Sequence, residues 1–234
     1  MVSEIRPAAT VILLRDAADG LQTLILRRNS KLGFAAGMWV FPGGRIDDHE
    51  IEAADGDLDV AAKQAAVRET HEEAQLTVLA EDLLHYSHWT TPPHHPKRYS
   101  TWFFVARAPS SDDVVIDGSE IHDHQWISPK DALSAHKDGD VELMPPTFVA
   151  LTEMAVCADV DEFLQRTTAR NQANKAGVFE PHFAFAEKGS DKPHIALYAG
   201  DAGYEAFEPE APGLRHRCVM SRDGWLYEND VLPW

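Results

Sequence analysis

The sequence predicts an α/β fold, and three observations predict it. Apolar, partly β-branched runs at Ala8–Leu14, Leu21–Leu26, Leu83–Thr91 and Tyr99–Ala106 have the length and composition of strands. One stretch between them, from about Asp59 to Ala74, has helical rather than alternating periodicity. Further helical stretches follow the long strands, the first opened by Ser128-Pro129-Lys130-Asp131, with Ser at the cap, Pro in the first turn and an acid three residues on.

The remaining elements follow in chain order. Asp16 to Gly20 is a turn that makes the first two strands a hairpin, and Arg27 to Gly37 is a basic, glycine-bounded loop. Met38 to Phe41 is a short strand that ends in the tight turn Phe41-Pro42-Gly43-Gly44. Asp47 to Asp57 is acidic and irregular. In the Asp59–Ala74 helix, Val60, Val67 and Ala74 form the packing stripe, and Glu69, Glu72 and Glu73 fall opposite it. Ala62 and Ala65 lie among those acids, which leaves room for a ligand. Pro92 to Arg98 is a stiff loop, and Val114–Ile116 and Gln125–Ile127 are short strands. Gly139 closes the helix that Ser128 opens. Pro146–Cys157 and Asp161–Arg170 are two more helices, His194–Tyr198 is a strand, and Leu214–Tyr227, broken at Ser221–Gly224, is a hairpin. The expected organisation is one domain over residues 5–158 and an extension over 159–234, packed on it or next to it. From Asn171 on, the extension covers the sheet or forms a homodimer contact.

Composition narrows the function classes. The chain has 234 residues, 44% of them hydrophobic, which suits one large domain or a domain of about 150 residues with an extension. Its formal net charge of −17 excludes a broad nucleic-acid surface and docking on anionic lipid. A small anionic substrate stays admissible where metal ions and a few Arg or Lys invert the local field. The two cysteines, Cys157 and Cys218, are far apart and in no ligand spacing, so a reducing, cytoplasmic setting is expected. No apolar run reaches the ~18 residues of a membrane span. The N-terminus lacks the apolar stretch of a signal peptide, and Leu232-Pro233-Trp234 is not a peroxisomal address.

The chemistry concentrates in Arg68-Glu69-Thr70-His71-Glu72-Glu73. At about 100° per residue the three glutamates share one helix face. Like charges at i,i+4 destabilise a bare helix by about 0.2–0.5 kcal/mol per pair, so a cation on that face explains the cluster. Hard divalent ions such as Mg²⁺ prefer carboxylate and water oxygens, and the natural customer of such an ion is a phosphate.

The order of strand, Gly-Gly turn and acidic helix resembles the Nudix hydrolase family. Its pattern is Gly, five residues, Glu, seven residues, then Arg-Glu-apolar-x-Glu-Glu-x-Gly-apolar. Gly44 and Glu50 match the front, and Arg68-Glu69-Thr70-His71-Glu72-Glu73-Ala74-Gln75-Leu76 matches the back. Three departures stand out. Residues 51–67 put seventeen positions between Glu50 and Arg68, ten more than the pattern, read as an acidic loop at the tip. Thr70 replaces an aliphatic residue. Gln75 replaces the glycine that ends the helix, at a cost of about 1 kcal/mol if it turns left-handed there. Trp89-Thr90-Thr91-Pro92 and Arg98-Tyr99-Ser100-Thr101-Trp102-Phe103-Phe104 narrow the resemblance to a branch that includes the mammalian peroxisomal coenzyme A diphosphatase.

The resemblance implies an α/β/α sandwich with a mixed sheet, to which the helices and β-hairpin after the domain are an extension. It also implies metal-dependent cleavage of a diphosphate linkage in a nucleoside diphosphate derivative. The branch points to coenzyme A or an acyl-CoA; ADP-ribose, NADH-like dinucleotides, nucleoside triphosphates, or a non-catalytic ligand-binding role are the alternatives. Glu69, Glu72 and Glu73 are the candidate Mg²⁺ or Mn²⁺ ligands, joined by the Gly43 carbonyl. Arg68 orients the acids. Glu120, six residues before Trp126, is the candidate for a further metal ligand or for the base that takes the proton of water. Glu50 is structural. Arg28, Arg98, Gly44 and Trp89 are the candidate substrate contacts, the arginines because their forks match phosphate oxygens. The pairs His94/His95 and His122/His124 lack the spacing of a structural zinc site.

Overall fold

Strand β1 (Ile5–Ala17) runs through the middle of the molecule, in a computed structural model that describes residues 4–31, 35–93, 95–109, 113–173, 177–186 and 191–234. A two-residue turn returns it as β2 (Gly20–Arg28), and on its other side it pairs in parallel with β6 (Arg98–Arg107). β3 (Trp39–Val40) and β7 (Ile121–Ile127) both pair with β2, β4 (Gly43–Arg45) with β1, and β5 (Leu84–Thr90) with β6. β8 (Gly177–Phe179) adds to β5 in parallel and completes an eight-stranded mixed sheet.

The sheet is buried on both faces, and the period of two along β1 divides its side chains between them. Ala9, Val11 and Leu13 belong to one core, and Ile12 and Leu14 to the other. Helix α2 (Leu58–Ala74) covers the first face. α3 (Pro129–Asp138), α4 (Pro145–Met154) and α5 (Val160–Gln172) follow β7, and their buried residues join the second core. Ser128 caps α3 by accepting from Asp131 N, and Gly139 ends it at φ 86°. Gln75 does end α2 in the left-handed region, at φ 54°, with its N–H on His71 O.

Four sequence-based expectations need correction. The packing face of α2 is alanine, not valine: Ala61, Ala62, Ala65 and Ala66 are 0% exposed, whereas Val60 is 44% exposed. The helix lies close on β1 and β4, where methyl-sized side chains fit, and Thr70 hides its hydroxyl on Ala66 O at 2.7 Å. Ala62 and Ala65 therefore open no room for a ligand. The insertion is not a loop, since α1 (Asp48–Ala53) begins it and the first turns of α2 end it. Glu50 reaches back to accept from Asp47 N at 2.8 Å, which satisfies an orphan donor at the start of α1. Val114–Ile116 form no strand; Val115 N donates to Ala74 O at the end of α2 instead. Gly43 and Gly44 are not themselves the turn, because both pair with β1 as part of β4.

Beyond α5, an antiparallel sheet of β9 (His182–Ala184), β10 (His194–Leu197), β11 (His216–Ser221) and β12 (Gly224–Asn229) packs on the second core. Trp225 lies edge-on to Phe148, and Trp234 edge-on to Phe163. Inside the small sheet, Arg217 grips Asp201 with a fork of 2.7 and 2.6 Å, and Asp201 also accepts from the N–H of Gly203 and of His216. Burial works against the Asp201 charge, but Arg217 and these N–H groups outweigh it and hold its pKa at about 2, against 3.8 ordinarily. A depressed carboxylate pKa stabilises the fold above the unfolded value and loses that contribution as pH falls through the folded one. Asp201 thus contributes about 2 kcal/mol at neutral pH, lost between about pH 4 and pH 2. Asp201→Asn is expected to lower the urea midpoint at pH 7, with the gap to wild type closing as the pH drops through that window. A gap that stays constant from pH 7 to pH 2 would contradict this.

No helix among the described residues is long and apolar enough to cross a membrane. Both cysteines are free, Cys218 buried and Cys157 half-buried in the apolar surroundings of α4.

Candidate active site

The alanine face of α2 determines where its acids go. Glu73 lies seven residues, two turns, beyond Ala66, so it falls on the packing side and is 5% exposed. Its Oε2 accepts from Gly43 N on β4 at 2.9 Å. One turn earlier, the Glu69 carboxylate lies against the bare Cα of Gly44. A Cβ at Gly44 would sit 2.3 Å from Glu69 Oε1. The Glu72 side chain stands further out and is 56% exposed.

Arg68 ties these acids to α1. It donates from Nε to Glu50 Oε1 at 2.9 Å, from Nη1 to Glu69 Oε1 at 2.7 Å and Glu72 Oε2 at 3.1 Å, and from Nη2 to Arg45 O at 2.9 Å. Burial disfavours its charge, but the bonds to Glu50 and Glu69 prevail and hold its pKa above the ordinary value.

A bulge in the β2–β7 pairing falls between Arg27 and Arg28, where such irregularities re-aim side chains. Arg28 reaches toward Glu73 at 3.9 Å and Glu120 at 3.5 Å, both longer than hydrogen bonds, and its buried Nε has no partner among the described residues. Glu120 sits just before β7. Asn29 N donates to Glu120 O at 2.8 Å, and Asp117 accepts from the N–H of Ser119, Glu120 and Ile121. Asp117 and Asn29 therefore position Glu120. Sequence reasoning missed both, although Asp117-Gly118-Ser119 is the composition of an Asx turn.

Glu69, Glu72, Glu120, Arg28, Gly43 and Gly44 all line one cleft of about 590 Å³. Its floor is the sheet face opposite α2, with Thr10 from β1 and Thr101 and Phe103 from β6. Two candidates take other places. Arg98 is buried and donates from Nε to Thr91 O at 3.0 Å, so it closes the β5–β6 loop and does not line the cleft. Trp89 borders the cleft, but its ring lies flat on Phe179 at 4.0 Å and edge-on to Tyr198, a core arrangement. His122 and His124 are exposed along β7, and His94 lies outside the described residues.

The electrostatics suit a cation. Burial pushes the Glu73 pKa up to about 8, with the charges of Glu69 and Glu120 adding to it against Gly43 N–H and Arg28. Burial also raises Glu69, with Glu72 and Glu120 contributing and Arg68 opposing. These acids face one another without enough positive charge between them. Among the described residues no three metal-binding side chains stand in ready ligand geometry. Arg68 and Gly43 N–H hold the carboxylates instead, and oxygen donors of this kind match a hard divalent ion.

The two glycines are expected to fail differently when given a methyl group. Gly44→Ala meets only the end of the Glu69 side chain, which can swing away, so the fold survives and the carboxylate is displaced. Gly43→Ala meets Ala9 O at 2.4 Å and Thr10 Cα at 2.7 Å, fixed backbone of β1, so the β4–β1 pairing itself is strained. Thermal unfolding should drop for Gly43→Ala by several degrees more than for Gly44→Ala. Equal drops would remove the distinction.

An α/β/α sandwich whose acidic helix lies against a Gly-Gly strand beside a cleft defines the Nudix fold. A crystal structure of a NUDIX hydrolase from Alicyclobacillus acidocaldarius superposes with a TM-score of 0.63 at 23% identity, over 69% of this chain and 96% of that one. The NUDIX domain model matches residues 4–146, and the chain belongs to that family. A Caenorhabditis elegans protein provisionally named nudix hydrolase 7 is 24% identical over 196 residues, which cover 69% of this chain and 64% of the relative. The chain thus spans less than two thirds of that relative's length.

Proposed function

We propose that this chain hydrolyses the diphosphate linkage of a nucleoside diphosphate derivative, with Mg²⁺ or Mn²⁺ at the acidic end of the cleft. The observation that carries this reading is the gathering of Glu69, Glu72, Glu73 and Glu120 with Arg28 where β4 presents two side-chain-free residues. Glu69, Glu72 and Glu73 would hold the metal, with the Gly43 carbonyl as a further donor. Bound there, the ion would neutralise the phosphate oxygens and lower the pKa of a coordinated water.

The chain's own groups supply the rest. Arg68 keeps Glu69 and Glu72 aligned through charge-assisted bonds. Arg28, whose fork is not satisfied by Glu73 and Glu120, holds a phosphate oxygen. Glu120, exposed at the cleft and fixed by Asp117 and Asn29, takes the proton of the attacking water. A bond from the water oxygen to phosphorus forms, the bond to the bridging oxygen breaks, and each product leaves with a phosphate. Coenzyme A or an acyl-CoA is the favoured substrate, resting on the branch resemblance. A Nudix module that only binds its ligand would be expected to have lost one or more of Glu69, Glu72 and Glu73, and all three are present here.

The deciding experiment is a panel of coenzyme A, ADP-ribose, NADH and deoxynucleoside triphosphates with Mg²⁺ or Mn²⁺. Metal-dependent release of phosphomonoesters from at least one is expected, with coenzyme A the fastest. No turnover of any of them would end the hydrolase reading, and faster cleavage of another compound would end the coenzyme A assignment.

A further inference from the structure

The cleft has two chemically different sides. Arg28, Arg45, Glu69, Glu72 and Glu120 carry every fixed charge of its lining, all within residues 28–120. From residue 144 onward the lining carries no charge and is apolar except for Thr147, with Met144, Pro145 and Pro146 at the start of α4, then Pro181, Phe183 and Met220. Phe183 and Met220 come from the small C-terminal sheet and Pro181 directly precedes its first strand, so this sheet helps to build the cleft as well as covering the core. This wall is preformed: β9 is paired to β10, Phe183 stacks on Phe185 at 5.2 Å, and both Phe183 and Met220 pack against the second core. A diphosphate finds cationic partners, Arg28 and Arg45, only on the charged side.

We propose that the C-terminal sheet is a specificity element, in which Pro181, Phe183 and Met220 receive an apolar group attached to the diphosphate. A sugar seated on Pro181, Phe183 and Met220 would desolvate its hydroxyls against three side chains that offer them no hydrogen-bond partner, whereas an alkyl group there would remove apolar surface from water on both sides. The proposal rests on the diphosphate reading of the site, yet it is testable without turnover.

Two uncleavable methylene-bridged analogues of adenosine diphosphate, one ending in ribose and one in an octyl chain, are titrated calorimetrically onto the full chain with Mg²⁺. The octyl compound is expected to bind at least tenfold more tightly. Phe183→Ser and the near-isosteric Met220→Gln should each weaken it at least fivefold and leave the ribose compound within twofold. Met220→Gln decides the matter if Phe183→Ser does not fold. Equal affinities in the wild type, or equal losses for both compounds in the variants, would overturn the proposal. Turnover of the cleavable counterparts is measured alongside. If the wild type cleaves neither while the octyl preference stands, the hydrolase reading falls and the apolar wall survives.

Discussion

Glu73→Gln is expected to remove metal-dependent turnover, by roughly 10²–10³-fold or more, while leaving the fold at least as stable as wild type. The two effects have one cause. Glu73 is buried beside Glu69 and Glu120, and the groups that favour its charge, Gly43 N–H and a distant Arg28, do not overcome burial. A neutral amide of the same shape keeps an oxygen for Gly43 N–H and relieves the repulsion. It also removes the carboxylate that most needs a cation. A ligand that binds only the folded state raises its unfolding temperature, so Mn²⁺ should stabilise the wild type and do little for the variant. Glu72→Gln serves as the control: at 56% exposed, its loss should lower turnover without raising stability. A Glu73→Gln protein with near-normal turnover, or one that loses stability without metal, would show that this carboxylate is merely structural.

What could be read from the sequence, and what could not, divides along physical lines. The long strands were legible because β-branched apolar runs carry a strong signal, and the α3 boundaries because Ser128 and Gly139 have local conformational reasons to be there. The left-handed turn at Gln75 was legible only as a condition, since helices also end without it, as at Ala54, Ala155 and Ala173. The packing face of α2 was not. Alanine weighs little in any apolar pattern, and the closeness of β1 and β4, which makes alanine the right residue, is a tertiary fact. The same error placed Glu73 facing outward when it lies at the edge of the core. Arg98 shows a second limit, because a cation before a strand can serve a phosphate or a carbonyl, and only the fold brings Thr91 O within 3.0 Å. Helix α1 was hidden because its signal was one Asp47-x-x-Glu50 capping box inside an acidic run. The wall formed by Pro181, Phe183 and Met220 meets Glu69 and Glu72 across more than a hundred residues of chain, a separation no local pattern spans.

Arg170→Leu is expected to cost about 3–5 kcal/mol, the largest stability loss of any substitution considered for this chain. The Arg170 and Glu153 side chains are 1% and 3% exposed, with Nη1 of the arginine 3.1 Å from Glu153 Oε2. Tyr86 Oη donates to the same carboxylate at 2.5 Å, and Arg170 Nη2 donates to Tyr86 O at 2.6 Å. The guanidinium lies over the rings of Tyr86 and Trp234, and Trp234 Nε1 donates to Glu153 O. One buried pair thus fastens α4, α5, β5 and the final residue of the chain. Replacing Arg170 alone strands Glu153, whose pKa burial already pushes up, among apolar groups with a single hydroxyl for company. At about 2–4 °C per kcal/mol for a chain of this size, the unfolding temperature should fall by roughly 6–20 °C. Glu153→Leu added to Arg170→Leu should recover much of that loss, because the stranded carboxylate, more than the missing attraction, is the expensive part. Arg170→Lys should fall between, keeping the charge but losing the fork and the ring contacts. A double variant as unstable as Arg170→Leu alone would shift the explanation from charge to packing around Tyr86 and Trp234.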